Sequence, residues 1–200
     1  KIDPARFAYG LLPDGKRSGA SIAARIDELL PDGWPKRPTW IVAVRTNDGR
    51  RIVFGRDDVT GTVGQATQAS SAIPAFYTPV RIGDRSYVDG ALHSSTNADL
   101  VATLGFDLVI VSSVKTATAD ARSWRSDPER AWFSNKLDNE LAEIRSTGTP
   151  VIVIEPDDTQ LALLASGERV DACAAGRLAA ERVLATSDGA GLRSIVESTG

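Results

Sequence analysis

Two hundred residues, 42% hydrophobic and 24% charged, suffice for one compact domain with a single core. A net charge of −3 leaves no basic excess to grip a phosphate backbone, which argues against nucleic acid as a partner, and the lone Cys173 excludes an internal disulfide and fits a reducing compartment. No run approaches about 18 apolar residues and no charged-then-apolar leader opens the chain, so a soluble, cytoplasmic protein is expected.

Ile22, Ile26, Leu29 and Leu30 recur at helical spacing until Pro31-Asp32-Gly33 stops them. Residues 39–46 and 51–54 are β-branched and apolar runs around Asn47-Asp48-Gly49-Arg50, a hairpin turn with positive φ expected at Gly49. A small-residue helix is expected over 63–71, after which Pro74 and Pro79 hold the chain extended. Residues 80–82 and 85–88 flank Gly83-Asp84, a second tight reversal, and that hairpin delivers Asp89. Thr96-Asn97-Ala98-Asp99 reads as a capping box opening a helix through Leu100 and Leu104 that stops at Gly105.

The run 107–112 predicts a strand covered on both faces, and 113–126 an exposed loop. Ser126-Asp127-Pro128-Glu129 opens a helix with the stripe Phe133, Leu137, Leu141 and Ile144, ending before Gly148. A second buried strand is expected over 150–155, with helices over 159–164, 172–184 and 192–196, and Cys173 packed within its helix. Helix alternating with buried strand argues for an α/β fold with an at least partly parallel sheet and helices on both faces.

Asp-Gly pairs occur at Asp14, Asp32, Asp48, Asp89 and Asp188, and most such pairs are turns. Asp89 is set apart by its surroundings. It closes a short strand behind the apolar, proline-stiffened loop Ser70-Ser71-Ala72-Ile73-Pro74-Ala75-Phe76-Tyr77-Thr78-Pro79-Val80, and Ser94-Ser95-Thr96-Asn97 follows it. Such packing aims a carboxylate into a pocket where water is scarce.

The run from Ser70 to Asn97 closely resembles the second catalytic block of patatin-like phospholipases. Gly33-Trp34-Pro35, Trp40-Ile41-Val42-Ala43-Val44-Arg45, Gly148-Thr149-Pro150-Val151 and Glu155-Pro156 extend the resemblance to bacterial, actinobacterial-type members. It implies a three-layer α/β sandwich with a central, mostly parallel sheet, and hydrolysis of an acyl ester by a Ser-Asp dyad. Asp89 matches the family aspartate and Gly90 the glycine after it. The aspartate takes the serine proton as the hydroxyl attacks the ester carbonyl, then helps deliver it to the leaving group. An ordinary aspartate, pKa about 3.9, is a weak base for an alcohol, so burial is expected to raise it while oxyanion-hole donors absorb the developing charge.

The family also needs Gly-x-Ser-x-Gly at a strand-to-helix elbow, behind a glycine-rich turn. The nearest approach here is Gly19-Ala20-Ser21-Ile22-Ala23, where Ala23 replaces the second glycine and Ser21 reads as a helix cap. Methionine is absent even at position 1, and the nucleophile lies upstream in family order. An N-terminal strand, elbow and helix are therefore expected to be missing from residues 1–200, the C-terminal portion of the domain, which alone is expected to be inactive.

Other candidates carry two readings. His93 is a triad partner or an ordinary loop residue; Ser70 and Ser71 are helix-end packing or substrate contacts. Pro74, Phe76 and Tyr77 line an acyl pocket or belong to the core. Trp124, Trp132 and Phe133 form a lipid-facing patch, or Phe133 joins the core. No metal-ligand spacing occurs, and Gly61-Thr62-Val63-Gly64 is too short for a phosphate loop and lacks its lysine, so no metal, nucleotide or other cofactor is implied. The expected function is a serine acyl hydrolase acting on lipids or simple carboxylic esters, with possible peripheral membrane contact; the alternative is a non-catalytic patatin-like domain binding lipid or a protein partner.

Overall fold

Two tight turns dictate the first sheet. The computed structural model describes residues 15–121 and 127–186. Strand β1, Ile41–Arg45, reverses through Gly49 at φ 63° into β2, Arg51–Phe54. Strand β3, Val80–Ile82, reverses through Gly83 at φ 61° into β4, Arg85–Asp89. Both glycines adopt the left-handed backbone that such short hairpin loops require. β1 and β4 also pair antiparallel, with Ala43 opposite Asp89, so the sheet runs β2-β1-β4-β3.

Helix α1, Ala20–Leu29, and helix α2, Val63–Ser70, pack together, and α2 lies on this sheet. Ala66 and Ala69 are fully buried with Ala43, Ile52 and Phe54; their short side chains let the helix approach the strands closely. Tyr87 meets Phe54 edge to face at 5.2 Å. The Asp27 carboxylate on α1 accepts the Gly64 N–H and the Thr62 hydroxyl, each at 2.9 Å, so an acid sits on the N-terminus of α2.

All of this belongs to the first of two compact units, Lys1–Ser94 and Ser95–Gly200. In the second, a short 3₁₀ turn, Ala98–Val101, precedes β5, Val109–Ser112. Helix α3, Pro128–Ser146, then crosses over to β6, Val151–Ile154, which pairs parallel with β5. Helices α4, Asp158–Ala165, and α5, Arg169–Leu184, follow. Leu137, Leu141 and Ile144 of α3 bury against Val109 and Val111 of β5, and Phe133 is buried in the same stripe.

The α/β class stands, with local corrections. The four-stranded sheet is antiparallel throughout: the hairpins β1–β2 and β3–β4 join neighbours that way, and β1 pairs antiparallel with β4; the parallel character expected occurs at β5–β6. β5 is covered on one face only, Ile110 being 56% exposed. The expected helix after Asn97 is a 3₁₀ turn with no side-chain cap, because the Thr96 hydroxyl donates to Glu140 at 2.6 Å instead. Within the expected loop 113–126, Ser113, Thr116, Ala117 and Ala121 are buried. Ser21 does not cap α1: Gly19 holds the cap position, and the Ser18 hydroxyl accepts the Ala20 N–H. Cys173 is exposed on α5. Asp14, Trp124, Asp188 and the expected helix 192–196 lie outside the described residues.

Candidate functional site

Antiparallel pairing gathers four chain segments at one end of the first unit's sheet. β1 begins there, β2 ends there, β4 ends there at Asp89, and β3 begins there. Asp89 is half-buried, and its backbone N–H donates to the Ala72 carbonyl at 3.0 Å, so the apolar loop is tied directly to it just after α2. One carboxylate oxygen accepts the Ala91 N–H at 2.8 Å, which orients the side chain as the cap of the 3₁₀ turn Gly90–Leu92. The same end is the place from which a strand can aim a side chain off the sheet without burying it in the core.

Gly90 lets the chain turn there. A Cβ at this position would lie 2.4 Å from the Val42 carbonyl oxygen and 2.9 Å from its carbon, both backbone atoms of β1 that have nowhere to move. His93 and the buried Ser94 donate their N–H groups to the Gly90 carbonyl at 2.9 and 3.3 Å, closing the turn. The His93 imidazole is half-buried.

The loop before β3 is rigid. Ala75 is left-handed at φ 66°, a conformation that costs a residue with a Cβ roughly 1–2 kcal/mol. It is held by the Phe76 and Tyr77 N–H groups, which both donate to the Ile73 carbonyl at 3.2 and 3.0 Å. Residues 15–17 brace the loop from outside. The Arg17 N–H donates to Phe76, its carbonyl accepts from Thr78, and a Cβ on Gly15 would fall 2.3 Å from the Phe76 carbonyl carbon. Of the acyl-pocket candidates, Pro74 is half-buried, Phe76 is 59% exposed, and Tyr77 packs against the core cluster. Ser70 ends α2 and Ser71 caps it through backbone bonds, both half-buried. Of the patch residues on α3, Trp132 is exposed and stacks edge-on with the buried Phe133.

Sequence reasoning missed Ala72 as the partner of Asp89, the bracing by 15–17, and a cleft at the same sheet end described below. No signal marked them: each depends on a backbone atom or on residues far apart in the chain. In the second unit, burial pushes the Glu155 carboxyl up. Burial also acts upward on Asp157, but the Gln160 N–H and the Arg182 guanidinium at 2.6 Å together hold it below its usual value. Among the described residues no group of three or more His, Cys, Asp or Glu converges as metal ligands do, and no helix is long and apolar enough to cross a membrane.

A turn that holds one oriented acid beside an apolar loop is an arrangement suited to proton transfer. The family is shown by comparison: the model for patatin-like phospholipase matches residues 3–102, half of the chain, and the match contains the loop, Asp89, Gly90 and the turn after them. This chain belongs to the patatin-like phospholipase family, a family of lipid hydrolases.

Proposed function

We propose that this protein hydrolyses carboxylic esters of lipids, with Asp89 as the general base of a Ser-Asp dyad. The observation that carries the reading is the double fixation of Asp89, its backbone tied to Ala72 and its carboxylate to the Ala91 N–H. A base contributes rate only when held within hydrogen-bond reach of the proton it takes. In this reading a serine from sequence upstream of Lys1 attacks the acyl carbonyl, Asp89 accepts its proton, and backbone N–H groups of the same upstream segment stabilise the oxyanion. Pro74, Phe76 and Tyr77 form the acyl-side wall, Phe76 offering the most apolar surface to a chain. Residues 1–200 then make up the C-terminal portion of a three-layer acyl hydrolase domain working in the cytoplasm.

The rival is a patatin-like domain that binds lipid or a protein partner and hydrolyses nothing. Fluorophosphonate labelling of the full-length protein separates the two, because the probe reacts only with an activated serine. Labelling, with ester turnover that depends on Asp89, supports the hydrolase. A full-length protein that neither labels nor turns over short-chain esters refutes it.

A further inference from the structure

The sheet end that carries Asp89 also carries an open cleft of about 660 Å³ between residues 34–39, which lead into β1, and 55–61, which leave β2. That volume lies in the range of small-ligand sites. Its two walls are pinned at both ends. The Trp34 Nε1–H donates to the Gly61 carbonyl at 2.9 Å, and Gly55, at φ 87°, lets the Thr39 carbonyl approach to within 2.2 Å of where a Cβ would stand. Pro35 and Pro38 stiffen the first wall.

The cleft's charge runs against that of the chain. Three cations line it, Lys36, Arg37 and Arg56, against one lining carboxylate, Asp57, the exposed Asp58 of the same turn standing outside the lining, in a protein of net charge −3. Asp57 is occupied within its own turn: it accepts the Val53 N–H at 2.9 Å and pairs with Arg56 Nε at 3.0 Å. Arg56 is itself held over the Trp40 ring, 5.4 Å from its centroid. Lys36 and Arg37 are exposed and form no ion pair among the described residues. Two exposed, unpaired cations at the rim of a cleft floored by the half-buried Trp34 suit the headgroup layer of a bilayer, where Lys and Arg meet phosphate.

We propose that the cleft between residues 34–39 and 55–61 binds the phosphate-bearing headgroup of an anionic phospholipid in a bilayer. The choice of a lipid over another anion rests on the hydrolase reading above. β2 and β4 are separated by β1 alone, so two inter-strand spacings, about 10 Å, divide the cleft's side of the sheet from Asp89. The headgroup site thus lies at the sheet end at which β4 delivers Asp89.

The test is co-sedimentation of the full-length protein with vesicles of phosphatidylcholine alone and of phosphatidylcholine mixed with phosphatidylglycerol. Binding is expected to the mixed vesicles, to weaken as salt rises, and to fall about 25-fold in Lys36→Ala/Arg37→Ala, each cation near a surface contributing about fivefold. Lys36→Arg/Arg37→Lys, which keeps both charges, is expected to retain it, which separates charge from damage to the fold. Equal binding to both vesicle types, or binding insensitive to the alanine pair, overturns the proposal. Inorganic phosphate that displaces the protein from vesicles at micromolar concentration overturns the lipid assignment in favour of a soluble anion. Sedimentation involves no turnover, so the two readings fail separately. A protein that binds anionic vesicles through Lys36 and Arg37 but hydrolyses nothing defeats the hydrolase reading alone; one that hydrolyses esters but ignores those charges defeats the cleft alone.

Discussion

Gly90→Ala should damage stability and catalysis together, because the methyl group it adds has no space. The new Cβ would sit 2.4 Å from the Val42 carbonyl oxygen, about 1 Å inside ordinary contact, and the obstacle is backbone of the neighbouring strand. Relief requires β4 and β1 to part near the Ala43–Asp89 pair, and forced overpacking of this kind costs about 1–3 kcal/mol. At roughly 2–4 °C per kcal/mol for a chain of this size, thermal unfolding should fall by about 2–12 °C. The same displacement moves Asp89, and a misplacement of about 1 Å in a reacting group costs on the order of 10²-fold in rate. Gly83→Ala is the control. Its Cβ meets nothing within 4 Å, and the cost comes only from φ 61°, so stability should fall by roughly 1–2 kcal/mol with ester turnover intact at temperatures where the protein stays folded. Calorimetry and short-chain ester hydrolysis of the full-length variants measure both quantities. A Gly90→Ala protein with the parent's melting temperature and turnover would show that the β1–β4 contact does not constrain Asp89.

Two further outcomes concern the second unit. Burial holds the Glu155 carboxyl above the usual range, so its contribution to stability is full below the ordinary carboxylate pKa and is lost as pH rises through the raised one. Glu155→Gln should therefore melt higher than the parent at about pH 8, with the gap closing toward about pH 4; a gap independent of pH contradicts this. Glu140 is buried and accepts both the Thr96 hydroxyl at 2.6 Å and the Ala98 N–H at 2.9 Å. Glu140→Ala strands the Ala98 N–H and should cost about 1–3 kcal/mol, seen as a lower denaturation midpoint; an unchanged midpoint would mean that water replaces the carboxylate without penalty.

Local chemistry was legible wherever neighbours in sequence decide the structure. Gly49 and Gly83 turn where their dipeptides say, and Pro128 behind Asp127 starts α3, with Asp127 accepting the Glu129 and Arg130 N–H groups. Asp89 was found at the end of its strand because the Gly83-Asp84 reversal fixes where that strand runs. Reading failed where a distant partner decides. Thr96 has the spacing of a cap, yet its hydroxyl goes to Glu140, 44 residues on, and Asn97 turns left-handed at φ 50°. An apolar run such as 109–112 does not say how many of its faces are covered, so Ile110 was misjudged. The cationic cleft was invisible for the same reason: Lys36, Arg37 and Arg56 share no motif, and only the β1–β2 hairpin sets them face to face.

The account turns on Asp89 as a base, and the most direct measurement is the turnover of a short-chain ester by the full-length protein and by Asp89→Asn. Asparagine keeps the side chain's shape and its acceptor for the Ala91 N–H, so the turn should survive, which circular dichroism and melting temperature verify. Loss of a positioned general base predicts a fall in kcat of about 10²- to 10⁴-fold. A folded Asp89→Asn protein that turns over the ester at the parent's rate would contradict the account.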